Sequence, residues 1–199
     1  MKIVIVGASG TIGKKVTKAL CVEGNEIVTA GSKSGDVQVD ITSTESIEAF
    51  YKKVGPFDAL VSVTGNAHFG PLPSMTNTDF NIGIQSKLLG QVNLVLIGQH
   101  YINSKGSFTL TSGILSDDPI VLGANPSTVN AAIDGFTKAA AIELENGVRI
   151  NAISAGVVED SPHYFPYFPG HIPVPMDKVA NAYFKSVFGA LTGQVIRVW

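Results

Sequence analysis

The sequence predicts an α/β fold: one doubly wound, Rossmann-type parallel sheet of about seven strands, with helices on both faces, over residues 1–199. Three observations carry that expectation. Ile3-Val4-Ile5-Val6 is an unbroken β-branched run, which is how a strand buried on both faces reads. The glycine-rich turn Gly7-Ala8-Ser9-Gly10-Thr11-Ile12-Gly13 follows at once and opens a helical period. Short apolar runs then alternate with helical stretches to the end of the chain.

Taken in order, Thr11 to Glu23 reads as a helix with Ile12, Val16, Ala19 and Leu20 on one face, ended by Gly24-Asn25. Glu26 to Ala30 and Val37 to Asp40 read as strands. Thr42-Ser43 caps a helix through Val54 whose inward face is Ile47, Phe50 and Tyr51; Gly55-Pro56 stops it. Ala59 to Val63 is a fourth strand. Thr76 to Tyr101 holds one long helix or two consecutive ones. Ser107 to Leu110 is a strand, Ser127 to Glu145 a helix and Val148 to Ile153 a strand. Residues 161–175 carry five of the ten prolines with Tyr164, Phe165, Tyr167 and Phe168, and read as a substrate-side loop. Val179 to Phe188 is a last helix and Val195 to Val198 a last strand.

Composition narrows the function classes. Hydrophobic residues make up 45% and charged residues 15%, which separates the chain from disordered sequences. With a formal net charge of −2 and no clustered basic tract, no nucleic-acid partner is expected. No stretch is long enough to span a membrane, and Met1-Lys2 leads into too short an apolar run for a signal peptide. The lone Cys21 cannot form an internal disulfide. It fits a cytoplasmic setting and is expected to be a buried structural residue of the first helix. His68, His100, His163 and His171 lack partners spaced for zinc, so no metal site is expected.

The strand, glycine turn and helix of the first thirty residues form the context in which a G-x-x-G-x-x-G spacing binds a dinucleotide. Glycines let the backbone approach a pyrophosphate, and the helix N-terminus offers free N–H groups and a favourable dipole. Gly7, Ser9, Gly10, Thr11, Ile12 and Gly13 are therefore candidate cofactor contacts; a plain structural turn is the competing account. The second strand ends in Ala30-Gly31-Ser32-Lys33, with no acid to hold a ribose diol. Ser32 and Lys33 suit the 2′-phosphate of NADP, unless Lys33 is simply a solvated lysine. Asp36 lies close enough to keep NAD open.

These features resemble the short-chain dehydrogenase/reductase family over nearly the whole chain. Asp40-Ile41 is similar to the family's pair against the adenine. Ser62-Val63-Thr64-Gly65 stands where the family has Asn-Asn-Ala-Gly, so Thr64 and Gly65 become cofactor candidates. Thr111-Ser112 stands at the family's catalytic serine, and Arg149 to Gly156 resembles the strand leading to the nicotinamide pocket, with Gly156 beside the cofactor. The resemblance implies an NADP-linked oxidoreductase acting on a small carbonyl or hydroxyl substrate. Segments 76–101 and 127–145 correspond to helices that pair in family homodimers and homotetramers. Leu88, Leu89, Val92, Ile133 and Phe136 on them suit either a core or an interface.

The resemblance breaks at the catalytic pair. The family's Tyr and Lys, four residues apart, fall on Pro126 and Asn130, and no Tyr-x-x-x-Lys follows Ser112. A carbonyl receiving hydride needs a proton donor beside its oxygen. Proline offers none, and asparagine offers no charge. A family asparagine three residues before a glycine on the neighbouring helix becomes Lys87, counted back from Gly90. Lys87 and Ser112 are thus the candidate catalytic residues, Lys87 through a depressed pKa and Ser112 as donor to the substrate oxygen. A catalytically silent NADP(H)-binding redox sensor is the alternative. His68 is a candidate replacement acid, and Asp160, where the family often has threonine, would repel a pyrophosphate if turned toward it.

Overall fold

The computed structural model describes residues 1–199. Its strands are β1 (Lys2–Val6), β2 (Glu26–Gly31), β3 (Val37–Gln38), β4 (Phe57–Ser62), β5 (Ile102–Thr111), β6 (Arg149–Ala155) and β7 (Val195–Val198). Its helices are α1 (Thr11–Leu20), α2 (Thr44–Val54), α3 (Asn77–Gly83), α4 (Gly90–Gly98), α5 (Ala124–Glu143) and α6 (Met176–Phe188). The strands form one seven-stranded sheet in the order β3-β2-β1-β4-β5-β6-β7, and every pairing is parallel. The order reverses between β1 and β4. In an open sheet of this kind, that crevice at the strands' C-terminal ends is where ligands bind.

The β-branched run of β1 explains the two layers. Side chains alternate across a strand, so Val4 and Val6 enter one core and Ile3 and Ile5 the other. The first core is closed by α2, α4 and α5 through Ile47, Phe50, Tyr51, Leu94 and Ile133. The second is closed by α1 and α6 through Val16, Leu20, Val179 and Tyr183. Ile133 is core, and Leu88 and Phe136 pack against the same cluster.

Several boundaries differ from the sequence pattern. Helix α1 stops at Leu20, and Cys21 is its exposed C-cap, not a buried residue. One residue is 100° of helix, so the position after the buried Leu20 turns outward. Helix α5 starts at Ala124 and takes Pro126 into its first turn. The missing N–H costs nothing there, because first-turn N–H groups have no acceptor within the helix. Strand β5 begins at Ile102, ahead of its apolar stretch.

The long segment from Thr76 holds the largest surprise. Thr76 and Asp79 form a reciprocal capping box, and the helix then runs α3, a π-helical turn over Ile84–Leu89, and α4. Such turns are rare and cluster at functional sites. Gln91, fully buried, supports this one. Its amide nitrogen donates to Lys87 O (3.1 Å) and Thr111 O (2.8 Å), and its amide oxygen accepts from Thr111 N (2.8 Å). The side chain therefore ties the end of β5 to the carbonyl of Lys87.

At the far end of the sheet, Arg149 donates to the carbonyls of Ser186, Val187 and Leu191. It is the cationic C-terminal cap of α6. Arg149→Met should lower unfolding free energy by about 2–4 kcal/mol, measured by urea denaturation, because three part-buried carbonyls lose a charged donor. Lys at this position should recover only part of the loss, since its three donors share one nitrogen and lack the planar spread of Nη1 and Nη2 over the three carbonyls.

Candidate active site

The glycine turn lies at the C-terminal end of β1. Gly7 turns with φ +89°, and Gly10 is the N-cap of α1 without any side-chain cap, so the N–H groups of the first turn face outward unclaimed by side chains. Beyond the end of β2, a groove of about 160 Å³ is lined by Ser32, Asp40, Ile41, Thr64, Gly65 and Asn66, among others. Asp40 is held there by Thr42, whose N–H and hydroxyl donate to Oδ1 at 2.9 and 2.7 Å. Those bonds hold its carboxyl below the usual range. A second groove runs past Ser9, Lys14, Thr17 and Ser34, and the Ser34 hydroxyl reaches Ser9 Oγ at 3.1 Å. Lys33 is exposed and lines neither groove. Asp36 is occupied: its carboxylate accepts from Thr29 N (2.9 Å) and Thr29 Oγ1 (2.7 Å).

From the groove lined by Ser32 and Asp40 the surface continues, through Gly65 and Asn66, into a cavity of about 350 Å³ at the ends of β4, β5 and β6. Its walls are largely apolar, from Ile12, Ile114, Leu115, Val157, Val158 and the aromatic rings of Phe69, Tyr164 and Phe168. Tyr164, Phe168 and Ser161 come from the 161–175 segment, so that segment does form part of the cavity wall. The Phe69 and Tyr164 rings meet at 6.1 Å across its mouth. A site with few polar groups in apolar walls is the usual form of a small-molecule pocket.

Lys87 is one of those few polar groups. It reaches the cavity because Gly65, at φ +111°, has no side chain: a Cβ there would lie 2.6 Å from Lys87 Cα. Burial pulls its ammonium down from 10.5 to about 8, with Asp134 opposing the shift. Lys87 belongs to none of the four ion pairs. Pro126 and Asn130 line the same cavity from α5. A lysine missing from one helix and present on its neighbour thus opens onto the same space.

Ser112 stands elsewhere than expected. It is buried at 4% exposure and its Oγ has no hydrogen-bond partner, while the next residue, Gly113, is on the cavity wall. Its hydroxyl lies behind the wall, because β5 ends at Thr111 and the chain bends outward only at Gly113. His68 is not among the cavity residues. Its N–H donates to Asn125 Oδ1 (2.9 Å), and its ring lies over Gly70. Asp160 is exposed and shares a groove with Glu159 and with Lys14, Lys15 and Lys18 along α1, so its charge has lysines before it. Gly156 lines the cavity against Val174 and Trp199.

Other contributors had a weaker sequence signal or none. Asn66 bridges groove and cavity, and its N–H is held by Ser86 Oγ (2.9 Å). Asn125, fully buried, accepts from His68 N and donates to Phe80 O (2.7 Å), which pins the β4–α3 connection onto α5. Gln91 shows in the sequence only as a polar break in an apolar run.

A doubly wound sheet with a glycine turn, a groove beyond β2 and a cavity at its switch point defines a dinucleotide-binding fold. The profile of the family described as enoyl-(acyl carrier protein) reductase matches residues 2–164. The chain belongs to this family, within the short-chain dehydrogenase/reductases. Among solved structures, the protein lin1944 from Listeria innocua is similar at 50% identity over the full length of both chains, with a TM-score of 0.98. A small-chain dehydrogenase solved in complex with NADPH is 28% identical, covering 100% of this chain and 96% of that one, with a TM-score of 0.89. The short-chain dehydrogenase/reductase ATR9 of Stachybotrys chlorohalonatus is 26% identical over 77% of this chain and 72% of its own. No helix is long and apolar enough to cross a membrane.

Proposed function

We propose that the chain is an NADP(H)-dependent oxidoreductase of a small carbonyl or hydroxyl compound in which Lys87 replaces the family's tyrosine as proton donor. The observation that carries this reading is Lys87 itself: a half-buried lysine opening onto the same cavity as Pro126 and Asn130, with its pKa lowered to about 8. That value is close enough to neutrality for the group to give and regain a proton. A bound nicotinamide would supply the hydride. The chain's part is to hold the carbonyl among apolar walls that exclude water and to present the Lys87 ammonium to its oxygen. A cavity of about 350 Å³, shared with the nicotinamide, restricts the substrate to a compact and mainly apolar molecule.

The residues fit a dinucleotide. Gly13 leaves the space a Cβ would fill beside the turn, and Gly7 to Gly13 presents uncapped N–H groups to a pyrophosphate. Asp40, Ile41, Thr64 and Gly65 would flank the adenine side, and Gly156 the nicotinamide side. NADP is favoured over NAD because Asp36, the acid nearest the end of β2, is committed to Thr29. The Ser9, Ser32 and Ser34 hydroxyls line the two grooves beyond the end of β2, where a 2′-phosphate would be held. Ser34→Asp should raise the Kd for NADPH about 10- to 100-fold and leave that for NADH nearly unchanged, as read by fluorescence titration.

The test of the function is NADPH absorbance followed against a panel of aldehydes, ketones and quinones. Turnover of at least one, lost in Lys87→Met, supports the reading. Tight NADPH binding with no turnover across the panel supports instead a silent redox sensor, the reading favoured by Pro126 at the tyrosine's position. The proposal also includes a cytoplasmic setting and a homodimer or homotetramer formed through residues 76–101 and 127–145. Exposed Ile82, Leu96 and Ile142 on these helices give such an interface apolar surface. Light scattering of the eluted protein reads its mass directly.

A further inference from the structure

The cavity opens through a mouth made by three connections at the C-terminal ends of the strands: residues 63–76 after β4, 112–123 after β5 and 161–175 after β6. They are tied to one another. Gly70 N donates to Leu122 O (3.1 Å), the Phe69 and Tyr164 rings meet at 6.1 Å, and His171 Nε2 lies 3.5 Å from Asp118 Oδ2. Each connection leaves large apolar side chains in water. Leu72 is 69% exposed, Val121 84% and Ile172 87%, and the rings of Phe69, Tyr164 and Tyr167 are exposed as well. Single exposed apolar residues are common, but these six on three joined connections form a rim, and contiguous apolar surface marks a place where a ligand or partner binds. The charge around the rim is equally informative. The three connections contain no lysine or arginine. Their only carboxylates are Asp117, held by Arg197 at 3.0 and 3.3 Å, and Asp118, beside His171.

We propose that the substrate is a neutral carbonyl compound with an apolar chain, whose reacting end lies in the cavity and whose chain leaves through the mouth onto this rim. This rests on the reading of the cavity as the substrate site, and the compactness that the cavity demands then applies to the reacting end. Phe69 and Tyr164 belong both to the cavity wall and to the rim, so apolar surface is continuous from one to the other. A methylene that leaves the cavity therefore does not return to bulk water. It covers surface of Leu72, Val121 or Ile172 that is otherwise wetted, and removing apolar area of both partners from water is favourable. A chain carried on a phosphate or carboxylate handle is disfavoured at the same mouth. No lysine or arginine of the three connections meets the handle, and an anion set near Asp117 and Asp118 is repelled.

Binding of ketones to the protein loaded with NADP⁺ tests this without turnover, because the oxidised cofactor has no hydride to give. A failure to find turnover and a failure here are therefore separate, and the same series on the cofactor-free protein keeps weak NADP⁺ binding from hiding the result. Isothermal titration calorimetry is run with the methyl ketones butanone, octanone and undecanone. The Kd should fall about two- to fourfold for each added methylene along the whole series. A series that levels off beyond octanone, once the cavity is full, overturns the proposal. Val121→Glu and Ile172→Glu change side chains outside the core, so the fold is kept, and each should weaken undecanone binding about tenfold. Undecanone bound as tightly by both variants as by wild type overturns the rim as the seat of the chain. So does a lower variant mass in light scattering with unchanged ketone binding, which would make the rim a face between two copies of the protein. The coenzyme A thioester of undecanoic acid carries a similar chain on a phosphate-bearing handle and should bind the NADP⁺-loaded protein at least about tenfold more weakly than undecanone. Binding as tight or tighter overturns the neutrality of the substrate.

Discussion

Lys87→Met will abolish carbonyl reduction while leaving the fold and cofactor binding in place. Methionine keeps the length and apolar stem that pack beside Gly65, so the π-helical turn has no reason to unwind. What is lost, on the proposed mechanism, is the proton donor at the substrate oxygen, worth about 10²- to 10⁴-fold in kcat. The affinity for NADPH should change by less than about fivefold, because the glycine turn and grooves are untouched. The pH dependence gives an independent reading. Reduction needs the ammonium, and the Lys87 pKa is about 8. The reductive rate should therefore hold on the acid side and fall as pH rises through about 8. Oxidation of the corresponding alcohol needs the neutral amine and should rise over the same interval. An unperturbed lysine would place both inflections well above pH 9. Steady-state rates in both directions from pH 6 to 10 decide it, and a reductive rate independent of pH across 7–9 contradicts Lys87 as the donor.

Gly13→Ala will lower stability and NADPH affinity together. A Cβ at Gly13 would overlap Gly7 O and lie 3.0 Å from Ala8 C and Cα, all of them backbone atoms with no side chain to swing aside. Helix α1 would have to draw back from β1. Overpacking of this kind costs about 1–3 kcal/mol of stability. The larger effect falls on binding, because the same shift moves the N–H groups that meet the pyrophosphate. NADPH affinity should fall about 100-fold or more. Gly10→Ala is the control. Its φ is −70° and its nearest heavy atom would be 3.5 Å away, an ordinary contact. That variant should keep its stability within about 0.5 kcal/mol of wild type. Equal losses in the two variants would mean that the turn is not held by close packing of α1 onto it.

The sheet was legible in the sequence because burial writes itself there. Ile3 to Val6 must be apolar on both faces, and Val16 and Leu20, or Ile47, Phe50 and Tyr51, must recur with the helical period to close the two cores. Cys21 shows the limit of that reasoning. Composition favours burial for cysteine, but one residue past Leu20 the helix faces water. The π-helical turn at Ile84–Leu89 left no trace in the pattern, since it is held by Gln91 bonding to Thr111 on another element.

The same division runs through the site. The sequence by itself determined the parallel sheet, the glycine turn at its switch point and the absence of a Tyr-x-x-x-Lys pair after Ser112, because each is a local pattern of residue types along the chain. Only the tertiary structure decided that Lys87 opens onto the cavity shared by Pro126 and Asn130, and that the Ser112 hydroxyl is buried behind its wall. Those are relations between β5, α5 and the turn before α4, which are distant in sequence. They depend on packing, and on Gly65 yielding its side-chain space to Lys87, which no single segment encodes.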